Sequence, residues 1–217
     1  MSELSVQNLH VFRGERHLLR GLAFEVPAGV CLQVTGANGA GKTTLLRVLA
    51  GLLEAEGIEL SWRGAPGSPR DPAYHAELSY LGHDAPLKAD LTGIENVTFA
   101  VGLRRRVGAD DVRAALERVG AAPFADRPVR TLSAGQRRRI ALAALWLTGA
   151  AIWLLDEPAT NLDTHGQALV GSLIDEHTGR GGLVIAATHQ ELALADGRQR
   201  ALSIGPDGRA QYGRAQS

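Results

Sequence analysis

The chain has 217 residues, enough for one hydrophobic core built as a single domain with a subdomain. Its 45% apolar content is ordinary for a globular protein, and 23 Lys+Arg against 23 Asp+Glu leave no net charge, which argues against broad sequence-independent binding to nucleic acid. One cysteine, Cys31, excludes an internal disulfide and lies in an apolar run, where a buried inert thiol is expected.

The opening "MSELSVQNLHVF" lacks the charged-then-apolar pattern of a signal peptide, and residues 3–12 read as a strand. "LAFEVPAG" reads as a strand and a turn, with Pro27 and Gly29 as punctuation. "VCLQVTG" is an apolar, β-branched strand ending in Gly36, and "GKTTLLRVLAGLL" a helix with Leu45, Leu46, Leu49, Leu52 and Leu53 on one face. "GIELSWRG" reads as a strand, "APGSPRDPA" as a Pro/Gly-rich surface loop, and "LSYLGH" as a short buried strand. From about residue 91 to 147 the pattern is mostly helical. "AIWLLDEP" and "GLVIAATH" are two apolar strands with a helix between them, and "RALSIGPDGRAQYG" is a closing hairpin turned at "PDG". The most apolar window, residues 140–155, is shorter than the ~20 residues of a membrane span and is broken at Thr148–Gly149. The alternation of strand and helix predicts an α/β core with a parallel sheet. The helical middle, about residues 88–148, reads as an inserted subdomain, and the first 65 residues or so supply extra antiparallel strands.

Four stretches carry chemistry. "GANGAGKTT" holds a full P-loop between a strand and a helix. Its Gly36, Asn38, Gly39, Ala40, Gly41, Lys42, Thr43 and Thr44 are the candidate phosphate cradle. The glycines let backbone N–H groups close on phosphates, Lys42 reaches the β- and γ-phosphates, and Thr43 offers a hydroxyl to magnesium. "AIWLLDEP" exposes two acids where a doubly buried strand ends, the place where α/β ligands bind. Asp156 is placed to hold magnesium and Glu157 to polarise an attacking water. "VIAATH" puts His189 at the end of a neighbouring apolar strand, as a candidate γ-phosphate contact. In "LSAGQRRRIALAALWL", Ser133 stands three residues before Gln136, a capping-box spacing at a helix start that favours an anion.

Together, and in this order, these motifs resemble the nucleotide-binding subunit of ATP-binding-cassette (ABC) transporters along nearly the whole chain. The resemblance implies a single P-loop ATPase cassette over residues 1–217, with a RecA-like parallel core, an N-terminal antiparallel β subdomain and the inserted helical subdomain. It implies ATP and Mg²⁺ as ligands, with Lys42, Glu157 and His189 catalytic. It also answers for the anion: "LSAGQ" looks like the family's signature motif, so Ser133, Gly135 and Gln136 would meet the γ-phosphate held by a second copy in a head-to-tail homodimer. Asp163 is kept in the loop "ATNLD".

The pattern departs from the family at three places. His83 stands where members carry a Gln after the "SYL" strand, and imidazole nitrogen suits magnesium less well than oxygen. Either Asp84, which offers hard oxygen one residue on, or a water held by His83 takes over the magnesium-side contact; the alternative is that His83 contacts the transmembrane partner or packs locally. Phe12 and Arg13 both remain candidates for covering adenine, Arg by cation–π stacking, and "NLD" replaces the commoner "SALD".

"YLGHDAPLKADLTGIENVTF", "LSAGQRRRIALAALWLT" and "GGLVIAATHQEL" are similar to the ATP-binding subunit of the cytochrome c maturation branch. That resemblance makes "GH" a mark of the subfamily. It implies a peripheral protein on the cytoplasmic face of a bacterial inner membrane, reaching the membrane through integral-membrane permease subunits and driving haem handling or export. The rival readings are an ATPase subunit of a drug or lipid exporter, a soluble ABC protein, and a cassette that binds without hydrolysing. Balanced charge and the lack of a heptad run speak against the second, and no nucleic-acid partner is expected. Intact Lys42, Asp156, Glu157 and His189 speak against the third. The run Arg104, Arg105, Arg106 is read as a solvated face in preference to a contact with lipid headgroups.

Overall fold

The structure is a computed structural model that describes residues 2–189, 192, 194 and 197–214. The chain begins with β1 (Ser2–Arg13), β2 (Arg16–Pro27), β3 (Cys31–Gly36) and α1 (Lys42–Leu49), then β4 (Glu59–Trp62), β5 (Ala65–Gly67), α2 (Pro72–Ala76) and β6 (Leu78–Leu81). A helical stretch follows: α3 (Gly93–Gly102), α4 (Ala109–Arg118), two short 3₁₀ turns and α5 (Ala134–Leu147). The remainder is β7 (Ile152–Asp156), α6 (Thr164–Gly179), β8 (Leu183–Ala187), β9 (Gln199–Ile204) and β10 (Ala210–Arg214).

One sheet is antiparallel, in the order β2-β1-β4-β5. Its long strand β1 buries Leu4, Val6, Leu9 and Val11. The step from Val6 to Leu9 is three residues rather than two, and the register shifts there. Asn8 takes up the extra residue with φ +51°; the bulge keeps the apolar set on the inner face, where a plain one-residue slip would turn it outward. The other sheet has the order β10-β9-β3-β8-β7-β6. Strands β9, β3, β8 and β7 run parallel, and β10 returns antiparallel to β9. Every residue of β7 and β8 is buried, as expected of strands covered on both faces.

The chain packs as two compact units. The first runs up to Tyr80, takes in Ala150–Glu157, and resumes from Ile174; the second is Leu81–Gly149 with Pro158–Leu173. In the second, α5 packs against α3 and α4. Among the described residues no helix is long and apolar enough to cross a membrane.

Two local expectations are corrected. The helix after the P-loop stops at Leu49, so Leu52 and Leu53 are not on its buried face; they are 63% and 41% exposed. The stop is a Schellman turn: Gly51 has φ +69°, its N–H donates to Val48 O, and Leu52 N–H donates to Arg47 O. The stretch read as a surface loop contains β5 and the start of α2, the latter opened by Pro72 at its first position, where a missing N–H costs nothing.

Candidate functional site

Three parallel neighbours in the first unit end at one sheet edge. Val34 of β3 pairs with Ala187 of β8, and Ala187 pairs with Asp156 of β7. The residues that follow these partners therefore emerge side by side, at the carboxyl ends where ligands of α/β sheets bind.

From β3 the chain turns through the glycine-rich loop into α1. Gly36 has φ +144°, and a Cβ there would stand 2.6 Å from the Ile204 carbonyl oxygen, so only glycine fits. Asn38 and Gly39 are exposed at the crest, while Ala40 turns inward and its N–H donates to Ala37 O. Gly41 caps α1 without a side-chain bond, which leaves the helix's first N–H groups directed at the loop. Lys42 opens the helix and is 8% exposed; its ammonium donates to Gly36 O at 2.8 Å and to Ala37 O at 3.3 Å. The loop thus holds a positive charge within its own curl. Thr44 is half-buried in the same turn.

Thr43 Oγ1 donates to Asp156 Oδ1 at 3.1 Å, and Asp156 is 2% exposed. A hydroxyl and a carboxylate oxygen at this separation form a hard donor pair that fits magnesium. Among the described residues no three His, Cys, Asp or Glu side chains converge as a metal cage. A cation here would complete its shell with phosphate oxygens and water, as Mg²⁺ commonly does.

Glu157 leaves β7 in the left-handed region, φ +48°, a conformation uncommon for residues other than glycine and a frequent mark of functional sites. Its N–H donates to Ala187 O at 2.9 Å, one rung beyond the end of β7. Its carboxylate Oε1 accepts from His189 Nδ1 at 2.8 Å. The Glu157 side chain is 18% exposed and that of His189 58%, so the pair faces solvent from the imidazole side. The first unit therefore brings together Lys42 with the glycine-rich loop, Thr43 with Asp156, and Glu157 with His189.

Asp84, Ser133, Gly135, Gln136 and Asp163 belong to the second unit. His83 and Asp84 are exposed. Ser133 caps α5 as the spacing predicts: its hydroxyl accepts from Gln136 N–H at 3.2 Å and its own N–H donates to Gln136 Oε1 at 3.0 Å. Asp163 does the same kind of work for α6, accepting from Gly166 N–H at 2.8 Å. Gly135 has a packing reason: a Cβ there would lie 2.7 Å from the Asn161 carbonyl oxygen, and Asn161 is itself left-handed at φ +65°.

Two residues of this unit escape sequence reading. One is Asn161, whose carbonyl dictates glycine at 135. The other is Arg138, 4% exposed within α5. It sits in the middle of three arginines, a run that by itself suggests only a solvated face.

A family model described as "ABC transporter" matches residues 19–160. The chain is 44% identical over 204 residues to the "Cytochrome c biogenesis ATP-binding export protein CcmA" of Escherichia coli O157:H7, covering 94% of this chain and 97% of that protein. It is 46% identical over 204 residues to the protein of the same description from Salmonella typhi, covering 93% and 96%. Among solved structures, the ADP conformation of MJ1267, described as an ATP-binding cassette of an ABC transporter, superposes with a TM-score of 0.82 at 20% identity, covering 99% of this chain and 92% of that one.

Proposed function

The chain belongs to the ABC transporter family of ATP-binding proteins, and we propose that it is the ATP-hydrolysing subunit of a membrane export complex for c-type cytochrome biogenesis. The ATPase part rests on one observation above all: Glu157 and His189 are hydrogen-bonded at the sheet edge that also presents Lys42 and the Thr43–Asp156 pair. The cytochrome c part is supported by identity above 40% across nearly the full length of the named relatives.

In this reading the glycine-rich loop and Lys42 bind the β- and γ-phosphates of ATP, with Gly36, Asn38, Gly39, Ala40, Gly41, Thr43 and Thr44 forming the cradle. Thr43 and Asp156 would hold Mg²⁺, which would supply neutralisation of charge developing on the phosphates. Glu157 accepts a proton from the attacking water as the bond to phosphorus forms, and ADP leaves with the former bridging oxygen. His189 fixes the Glu157 carboxylate through Nδ1 and contacts the γ-phosphate. Ser133, Gly135, Gln136 and Asp163 engage the nucleotide held by a second copy, so the working ATPase is a homodimer. It works peripherally on the cytoplasmic face of a bacterial inner membrane, bound to integral-membrane subunits that handle haem.

The test is replacement of the native gene by Glu157→Gln, followed by haem staining of c-type cytochromes on a denaturing gel. Loss of staining with normal levels of the variant protein supports the reading. Unchanged staining removes the cytochrome c assignment and leaves an ATPase serving another exporter.

A further inference from the structure

We propose that Arg138 is a positioning residue for ATP hydrolysis, tying the segment that follows Glu157 and the segment that carries His83 to one helix. This inference rests on the ATPase reading above and assigns a part to a side chain outside the phosphate-binding motifs.

Arg138 Nε donates to the Pro158 carbonyl at 3.0 Å. One terminal nitrogen donates to Gly82 O at 2.7 Å and, more weakly, to His83 O at 3.4 Å. The side chain is almost fully buried. A guanidinium is planar and points its N–H groups in fixed directions, so acceptors bound to two of its nitrogens are held in a fixed mutual geometry. Breaking either hydrogen bond would leave a buried N–H donor to meet its desolvation cost, so both contacts are kept. The two clamped segments are 56 and 20 residues away in sequence and are otherwise irregular backbone.

Both acceptors stand at informative places. Pro158 follows Glu157 directly in the chain. Pro158 has no N–H, so its carbonyl is the one main-chain group by which it can be anchored. Its ring also restricts the backbone of the residue before it, and that residue is the left-handed Glu157. Holding the Pro158 carbonyl therefore fixes the Pro158–Ala159 peptide, one residue beyond the proposed base. Gly82 and His83 open the exposed stretch that reaches Asp84. A shift of that stretch, for instance on docking a partner, would pull on the same guanidinium that anchors Pro158. The clamp also reads directly into α5, whose first turn is capped by Ser133. Arg138 touches no reacting atom; its effect is on where Pro158, the residue after Glu157, sits.

The experiment uses the full-length protein with Arg138→Met, Arg138→Lys and, as reference, Glu157→Gln. Mg-ATP turnover is measured per molecule competent to bind a fluorescent ATP analogue, so that misfolded protein does not count. We expect Arg138→Met to lower kcat at least about tenfold with KM for ATP changed less than about twofold, and Arg138→Lys to recover only part of kcat, since one ammonium cannot hold two separated carbonyls in a fixed plane. If Arg138→Met does not fold, the Lys variant is read alone and must show the same split. Wild-type kcat per competent molecule in either variant, or kcat and KM falling and rising together, overturns the proposal. Glu157→Gln at wild-type turnover sinks the assignment of the base instead, and no ATPase in the wild type sinks both.

Discussion

His189 Nδ1 donates to Glu157 Oε1 at 2.8 Å, and each residue stands just beyond the carboxyl end of its own strand, β8 and β7, which are parallel neighbours. The pairing is built by the sheet: the Asp156–Ala187 rung sets the two strand ends level, and the Glu157 N–H reaches back to Ala187 O. The hydrogen bond fixes the orientation of the Glu157 carboxylate against the imidazole ring.

That arrangement predicts what removing either partner does. Glu157→Gln should keep ATP affinity within a few-fold and lower turnover by roughly 10²-fold or more. His189→Ala should also lower kcat, and the double variant should lose little beyond Glu157→Gln alone, because residues acting as a unit are not additive. Steady-state ATPase and nucleotide titration of the three variants check this. Independent, multiplying losses would show that the hydrogen bond is incidental.

The Thr43–Asp156 contact makes a separate prediction. Thr43→Val keeps the shape and deletes the hydroxyl that donates to Asp156. The Mg²⁺ concentration needed for half-maximal ATPase should rise about tenfold or more, the cost of losing one good ligand, while Thr43→Ser stays near wild type. A magnesium titration of ATPase activity decides it; an unchanged requirement would take Thr43 out of the cation site.

Much of this was legible in the sequence, for identifiable reasons. The P-loop, the acid pair and the histidine each follow a short apolar run that reads as a buried strand, and parallel neighbours in one sheet bring such ends to one edge. Ser133 and Gln136 fix their own helix start by a local rule. What was not legible depends on distant partners. Arg138 looks like its two arginine neighbours until the Pro158 and Gly82 carbonyls are placed beside it. Gly135 looks like a motif glycine until the Asn161 oxygen is seen against it. The early end of α1 was missed because Leu52 and Leu53 continue the helical spacing, whereas the Gly51 turn overrides it.

Phe12 and Arg13 are the two candidates for covering adenine. Phe12 is stacked on His17 with centroids 4.1 Å apart and an 18° tilt, yet remains 46% exposed. A ring braced on one side and open on the other is a pre-ordered stacking surface. Phe12→Ala should raise the ATP dissociation constant about fivefold or more, from the loss of one base–aromatic contact, and Arg13→Ala should change it less than about twofold. Binding of ATP to the two variants measures this, and the reverse order would assign the base to Arg13.

Gly135→Ala tests whether this glycine is set by its own chain. The added methyl would sit 2.7 Å from a backbone oxygen, which cannot swing away as a side-chain end could. Overpacking of this kind costs about 1–3 kcal/mol, so the isolated protein should melt several degrees lower, at about 2–4 °C per kcal/mol for a chain of this size. A melting temperature equal to wild type would leave only the nucleotide of a second copy as the reason for glycine here.

His177 in α6 lies flat on Trp153 of β7, centroids 3.9 Å apart and 8° from parallel, with Nε2 against the Ala151 carbonyl at 3.2 Å. Burial lowers its pKa below the ordinary imidazole value, and nearby Arg180 pushes the same way, against two backbone hydrogen bonds that oppose the shift. The unfolded chain, with an ordinary histidine near pH 6.5, thus takes up a proton at a higher pH than the folded one does. Stability rises with pH wherever the unfolded state binds more protons, so this contribution is fully present above the unfolded value and is lost as pH falls through the folded value. His177→Gln keeps a neutral donor toward Ala151 and cannot titrate. Melting curves between pH 8 and pH 5 should therefore fall less steeply for His177→Gln than for wild type on the acid side, with the two slopes alike above pH 7. Equal slopes throughout would mean that the folded protein accommodates the imidazolium against Trp153 without penalty.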